Sequence, residues 1–241
     1  MTEETGITEE NAEREERNDG PMQPVVDLGA ATMHTARGTV HCLTIVGQVE
    51  GHMLLPPNSK ATKYEHVLPL LAGLEASEEI EGVLFLLNTM GGDVEAGLAI
   101  AEMIAGMTKP TVSLVLGGGH SIGVPLAVAS KRTMIAPSAS MTIHPIRMSG
   151  TMIAAPQTYH YFSRLQNRIV RFVEKNSHIS EEKFLALMMS AKDMAADVGS
   201  VIYGEEAVEY GLIDRIGGLS DALECLYSMI GQERANKAAS D

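Results

Sequence analysis

Ser121 stands at the corner of Gly117-Gly-Gly-His-Ser-Ile-Gly123, between two short apolar runs, Val112 to Leu116 and Val124 to Val128. The first run reads as a buried strand and the second as a helix. Glycines at such a turn allow backbone angles that other residues resist, and a helix start leaves N–H groups unpaired beside the hydroxyl. That is the arrangement of an exposed serine nucleophile. The same turn could hold a phosphate, or the serine could simply cap the helix. His144 ends Met141-Thr-Ile-His144, 23 residues after Ser121, and returns to a sheet edge. It is either a general base or a hydrogen-bonded loop histidine. His120 adjoins Ser121, but consecutive side chains diverge, so it is a poor base for that hydroxyl and a candidate for contact with substrate. A second Gly-rich turn, Asn88-Thr-Met-Gly-Gly-Asp93, offers the N–H groups of Gly91 and Gly92. Paired with the N–H of Ile122 they would form the two-donor hole that acyl transfer needs, where losing one donor costs about 10²–10³-fold in rate. Read more simply, they form a tight turn. Neither His-x-x-x-His nor Cys-x-x-Cys occurs, so no metal or cofactor is expected.

The elements that must carry these residues alternate. Val83 to Leu87 reads as a buried strand, followed by the turn at 88–93 and a helix from Val94 to Met107 that Pro110 ends. The strand, turn and helix around Ser121 repeat the pattern. Repeated βα units imply right-handed crossovers on a parallel sheet with ligands at the carboxyl ends of the strands. Both glycine turns should therefore open on one edge. Around them we expect strand character from Ala36 to Glu50, a helix from Tyr64 to Leu74, and short strands at 133–135 and 141–143. Further on we expect helices over 155–174, from the Ser180 N-cap through Met189 and near 204–210, and a last helix through Met229.

The chain has 241 residues, enough for one well-buried domain. We expect an acidic disordered tail over residues 1–25, a domain over 26–232 and a frayed end at 233–241. A net charge of −13 argues against nucleic acid and anionic membrane surfaces as partners. No basic start precedes an apolar core, and no apolar run nears the roughly 20 residues that span a bilayer. Two distant cysteines, Cys42 and Cys225, suit a reducing cytoplasm. Fifteen Met and no Trp hint at adaptable contact surfaces.

Four segments, taken in order, resemble the Clp protease proteolytic subunit (ClpP) family. They are Asn88-Thr-Met-Gly-Gly92, Gly117-Gly-Gly-His-Ser-Ile-Gly123, Ala136-Pro-Ser-Ala-Ser-Met-Thr-Ile-His144 and Glu206-Ala-Val-Glu-Tyr-Gly-Leu-Ile-Asp214. The resemblance spans roughly residues 43–223 and is nearer to the family's translocation-enhancing (TepA) branch. It implies an α/β fold of the ClpP/crotonase-like kind, repeated ββα and βαβ units with C-terminal helices. It also implies stacked homo-oligomeric rings and a cytoplasmic Ser-His-Asp endopeptidase that cleaves unfolded polypeptide through an acyl-enzyme, fed by an AAA+ unfoldase ATPase. Carried over, Ser121 matches the nucleophile and His144 the base, while Gly92 and Ile122 match the oxyanion donors with Gly91 adjacent.

Three positions depart from the family pattern. Thr89-Met90 replaces Ser-Pro before the glycines. His120 stands where a small residue is usual. Counted back from Glu206-Ala-Val, the catalytic aspartate falls on Gly199; Asp197, next to the segment that re-enters the packed body, is the expected replacement and Asp193 the alternative. The ending also resembles the signal peptide peptidase A group, whose Ser-Lys dyad would need Lys131 or Lys192. Two other readings are a crotonase-type acyl-CoA hydratase or isomerase and a non-catalytic ring-forming subunit.

Overall fold

The computed structural model describes residues 29–147, 154–192 and 198–239. The expected acidic tail at 1–25 lies outside them. The chain opens on a hairpin of β1 (Ala30–Thr35) and β2 (Gly38–Glu50), antiparallel from Ala30↔Leu43 to Thr35↔Gly38. Single strand character was expected from Ala36 onward, but Ala36 and Arg37 form the turn between two strands. After β3 (Ala61–Lys63) and α1 (Tyr64–Ala76) come β4 (Gly82–Gly92), α2 (Val94–Gly106), β5 (Thr111–Gly119) and α3 (Gly123–Val128). Then follow β6 (Arg132–Ile135), β7 (Ser140–Ile143), α4 (Ala155–Asn176), α5 (Glu181–Met188), β8 (Ser200–Tyr203), α6 (Gly204–Glu209), β9 (Arg215–Ile216) and α7 (Leu219–Ala238).

The sheet runs β1-β2-β4-β5-β6-β9, with β3 beside β2 and β7 joining β5 to β8. Its centre, β2-β4-β5-β6, is parallel. Continuous apolar runs in β4 and β5 follow from burial on both faces. Val83, Phe85 and Leu87 enter the larger core, against α1 to α5. Leu84, one residue out of phase, enters a second core with Val112, Leu114, Ala222, Leu226 and Ile230, where α7 covers the opposite face.

Two boundaries differ from the sequence reading. The turn expected at 88–93 is largely strand, because β2 is irregular between Gly47 and Gln48 and lets Gly91 and Gly92 pair with Gln48 and Val49. The last helix extends past Met229 to Ala238, so residues 233–238 are helical rather than frayed. Ile230 is buried beneath it, and Arg234 forms paired 2.6 Å hydrogen bonds to Glu81. The Ser180 cap is as read, accepting from the Lys183 N–H at 3.2 Å. No helix among the described residues is long and apolar enough to cross a membrane.

Two measurements check this packing. Leu226→Ala opens a cavity between α7 and the sheet and should destabilise the fold by about 2–5 kcal/mol in chemical denaturation. His41 is buried, with Nδ1 on Thr32 Oγ1 at 2.9 Å and Nε2 without a partner among the described residues. Burial pushes its pKa below the ordinary 6.5. The unfolded chain then takes up a proton before the folded one, so this contribution is complete above pH 6.5 and lost as pH falls through the lower folded value. A series of unfolding midpoints from about pH 7.5 to about 5 should decline, and His41→Gln should flatten that decline.

Candidate active site

Ser121 has φ +58, a left-handed backbone that β-carbon-bearing residues adopt at about 1–2 kcal/mol. Neighbouring strands impose that conformation. The Ser121 N–H donates to the Thr142 carbonyl at 2.8 Å, the His120 N–H donates to the Thr89 carbonyl at 3.1 Å, and the His120 carbonyl accepts the Gly123 N–H at 2.8 Å. The elbow is thus tied to β4 and β7 while its own helix begins. None of the hydrogen bonds among the described residues uses the N–H of Ile122. All six residues of α3 are buried, so the helix behind the serine is rigid.

The two glycine turns meet at Ser121. Gly91 has φ +92, and a β-carbon there would stand 2.6 Å from Ser121 Cβ and 3.2 Å from its Oγ. Only glycine fits. The Gly91 N–H is bonded to Thr89 Oγ1 at 3.0 Å, which commits it elsewhere than to an oxyanion. Gly92 faces the other way. It lines a cavity of about 150 Å³ together with Ser121, Ile122 and His144, and the Asp93 N–H rather than its own takes the Val49 carbonyl. Val94, Ile169, Phe184 and Met188 make the cavity's apolar wall; no carboxylate lines it among the described residues.

His144 follows β7 directly. Its Nδ1 lies 2.6 Å from the Pro145 carbonyl, which can only accept, so Nδ1 carries the proton and Nε2 is the basic nitrogen. No hydrogen bond joins Ser121 Oγ to His144 in this structure. β7 and β8 are antiparallel, and Ile143 opposite Ser200 is the last pair of the ladder before His144. Asp193 and Asp197 lie outside the described residues.

The remaining candidates fall elsewhere. Lys131 Nζ donates to the Thr108 carbonyl and pairs with Glu233 at 3.6 Å, and neither it nor the exposed Lys192 lines the cavity, so no Ser-Lys dyad is assembled. His120 does not line the cavity either; its Nδ1 is 2.8 Å from Thr142 Oγ1, and burial pushes its pKa below the ordinary value. Asp214, in the fourth resembling segment, is structural: its carboxylate accepts the Thr133 N–H and its own N–H donates to Thr133 Oγ1, both at 2.9 Å. Sequence reasoning missed Thr142 and the Pro145 carbonyl. Thr142 could have been found, since it lies two residues before His144 in the strand that leads to it.

The model of the family described as Clp protease matches residues 37–219. The chain belongs to the Clp protease family. A translocation-enhancing protein TepA of Halalkalibacterium halodurans is 51% identical over 222 residues, covering 92% of this chain and 87% of that protein. An ATP-dependent Clp protease proteolytic subunit of Streptococcus pneumoniae is 29% identical over 158 residues, or 62% of this chain and 76% of that one. The mixed α/β fold, a multistranded sheet covered by helices, agrees with this membership. Within this Clp-family chain, Gly91→Ala should force the elbow aside. Reactivity of Ser121 toward a fluorophosphonate probe should fall on the order of 10²-fold while the circular dichroism of the fold persists.

Proposed function

We propose that this Clp-family protein is a serine endopeptidase that cleaves extended polypeptide through an acyl-enzyme at Ser121. The observation that carries this reading is the strained elbow: Ser121 and Ile122 line one cavity with His144, and the N–H of Ile122 is not used by another hydrogen bond among the described residues. In the proposed reaction Ser121 Oγ bonds to the peptide carbonyl carbon as its proton passes to His144 Nε2. The N–H groups of Gly92 and Ile122 hold the oxyanion. The C–N bond then breaks, with His144 returning the proton to the leaving amine. Water, deprotonated by His144, splits the ester and restores the hydroxyl. Asp197, with Asp193 as the alternative, is the carboxylate proposed to take over Nδ1–H from the Pro145 carbonyl and to stabilise the imidazolium.

The cavity supports a peptide rather than a cofactor-sized substrate. About 150 Å³ with apolar walls holds one apolar side chain, whereas small-molecule sites typically occupy about 300–1,000 Å³. An acyl-CoA hydratase would also need a carboxylate base at the cavity. Membership of the Clp protease family supports the further proposal of stacked rings fed with unfolded chain by an ATP-using unfoldase, in the cytoplasm.

A second reading, a non-catalytic ring-forming subunit, is favoured by one observation: no carboxylate among the described residues lines the cavity that holds His144. Fluorophosphonate labelling of the assembled protein separates the two. A serine peptidase labels at Ser121, Ser121→Ala abolishes labelling, and His144→Ala slows it about 10²–10⁴-fold. Absence of labelling in the assembled wild type would establish the scaffold. If Asp197 serves as the orienting carboxylate, Asp197→Asn should lower peptidase turnover by about 10⁴-fold and Asp193→Asn should leave it near wild type.

A further inference from the structure

His120 is a large, half-buried side chain beside the nucleophile that the proposed reaction does not use. Its surroundings are specific. The ring lies against Gly118, where an added β-carbon would stand 2.4 Å from its Nε2 and 2.6 Å from its Cδ2. The Gly118 N–H in turn donates to Asn88 Oδ1 at 3.0 Å, so the backbone under the ring is braced from β4. The other edge of the ring, Nδ1, meets Thr142 Oγ1 at 2.8 Å. Thr142 therefore receives two bonds from adjacent residues of the elbow: its carbonyl takes the Ser121 N–H and its hydroxyl meets His120.

Two points of attachment do what one cannot. The Ser121 N–H holds Thr142 through its carbonyl and His120 holds it through its hydroxyl, so the residue is fixed at two points of the elbow. The strand concerned is β7. It meets β5 at the single register pair Gly118↔Ser140 and is otherwise paired only with β8. His144 stands two residues after Thr142, directly past the end of β7, so a shift of Thr142 is passed along the chain to it. Burial lowers the pKa of His120 and keeps the ring neutral near pH 7, so its contact with the threonine hydroxyl persists there.

We propose that His120 is a positioning residue: through Thr142 Oγ1 it holds the strand that carries His144 in register with Ser121. This rests on the peptidase reading for its effect on rate, and on the geometry alone for its effect on His144. The test compares His120→Ala, Thr142→Val, the double variant and His120→Asn, whose amide nitrogen can stand where Nδ1 stands. In the assembled full-length protein, kcat for an unfolded peptide ester should fall about 10–10²-fold in each of the first two with KM little changed. The double variant should be no slower than the slower single one, because both remove the same link. His120→Asn should recover most of the rate. In parallel, the imidazole nitrogen resonances of His144 should shift and broaden in His120→Ala and Thr142→Val and return in His120→Asn. Additive losses, or an unmoved His144 signal, overturn the proposal. A wild type that neither labels nor turns over substrate, yet shows the His144 shifts, would refute the peptidase reading and leave the positioning role standing.

Discussion

The Ser121 N–H to Thr142 carbonyl bond, 2.8 Å long, ties together two parts of the sheet whose strands pair directly at one point only. On one side is the parallel core of β2, β4, β5 and β6; on the other is the β7-β8 pair, attached to β5 at Gly118↔Ser140. Every candidate catalytic group depends on that joint. Ser121, Ile122 and Gly92 come from the first part, and His144 from the second. Since the bond ends on the backbone of Ser121, any shift of β7 moves His144 relative to the Ser121 hydroxyl.

A left-handed serine is tolerated because its surroundings over-determine it. Behind it α3 is buried at every residue, in front Gly91 leaves room for the side chain and nothing more, and beside it the Thr89 and Thr142 carbonyls claim the N–H groups of His120 and Ser121. The strain of about 1–2 kcal/mol is small beside the burial that α3 contributes, where each fully buried Val or Leu side chain stabilises by about 1.5–3 kcal/mol. Val124, Leu126 and Val128 are all at or near zero exposure. A rigid apolar helix thus carries a strained polar corner.

Much of this was legible in the sequence for physical reasons. Glycine runs between apolar segments mark turns because few other residues take those angles, so both turns at Gly91-Gly92 and Gly117 to Gly119 were visible, as was their convergence on one edge. The precise division of labour between Gly91 and Gly92 was not. It depends on Thr89 Oγ1 claiming one N–H, a contact set by the irregular pairing of β2 with β4. The extent of α7 was hidden for a similar reason. Its last turns have a weak apolar pattern and are held by Ile230 in the core and by Arg234 on Glu81, far away in sequence. His120 looked like a group beside the substrate because adjacency in sequence is easy to see; its partner, Thr142, lies across strands.

The arrangement at His144 bears on what an orienting carboxylate would add. A triad carboxylate does two things: it holds the imidazole in the tautomer whose Nε2 is basic, and it stabilises the imidazolium that forms. At 2.6 Å the Pro145 carbonyl already performs the first, because it accepts from Nδ1 and can do nothing else. It performs the second only weakly, being a dipole rather than a charge. A full charge at about 4 Å would add on the order of 4 kcal/mol at an effective dielectric constant near 20. The Pro145 carbonyl therefore fixes the tautomer of His144, while stabilisation of an imidazolium still calls for a carboxylate. In this chain the tautomer and the charge stabilisation are separable, the first built into the turn after β7 and the second dependent on a carboxylate reaching it from elsewhere.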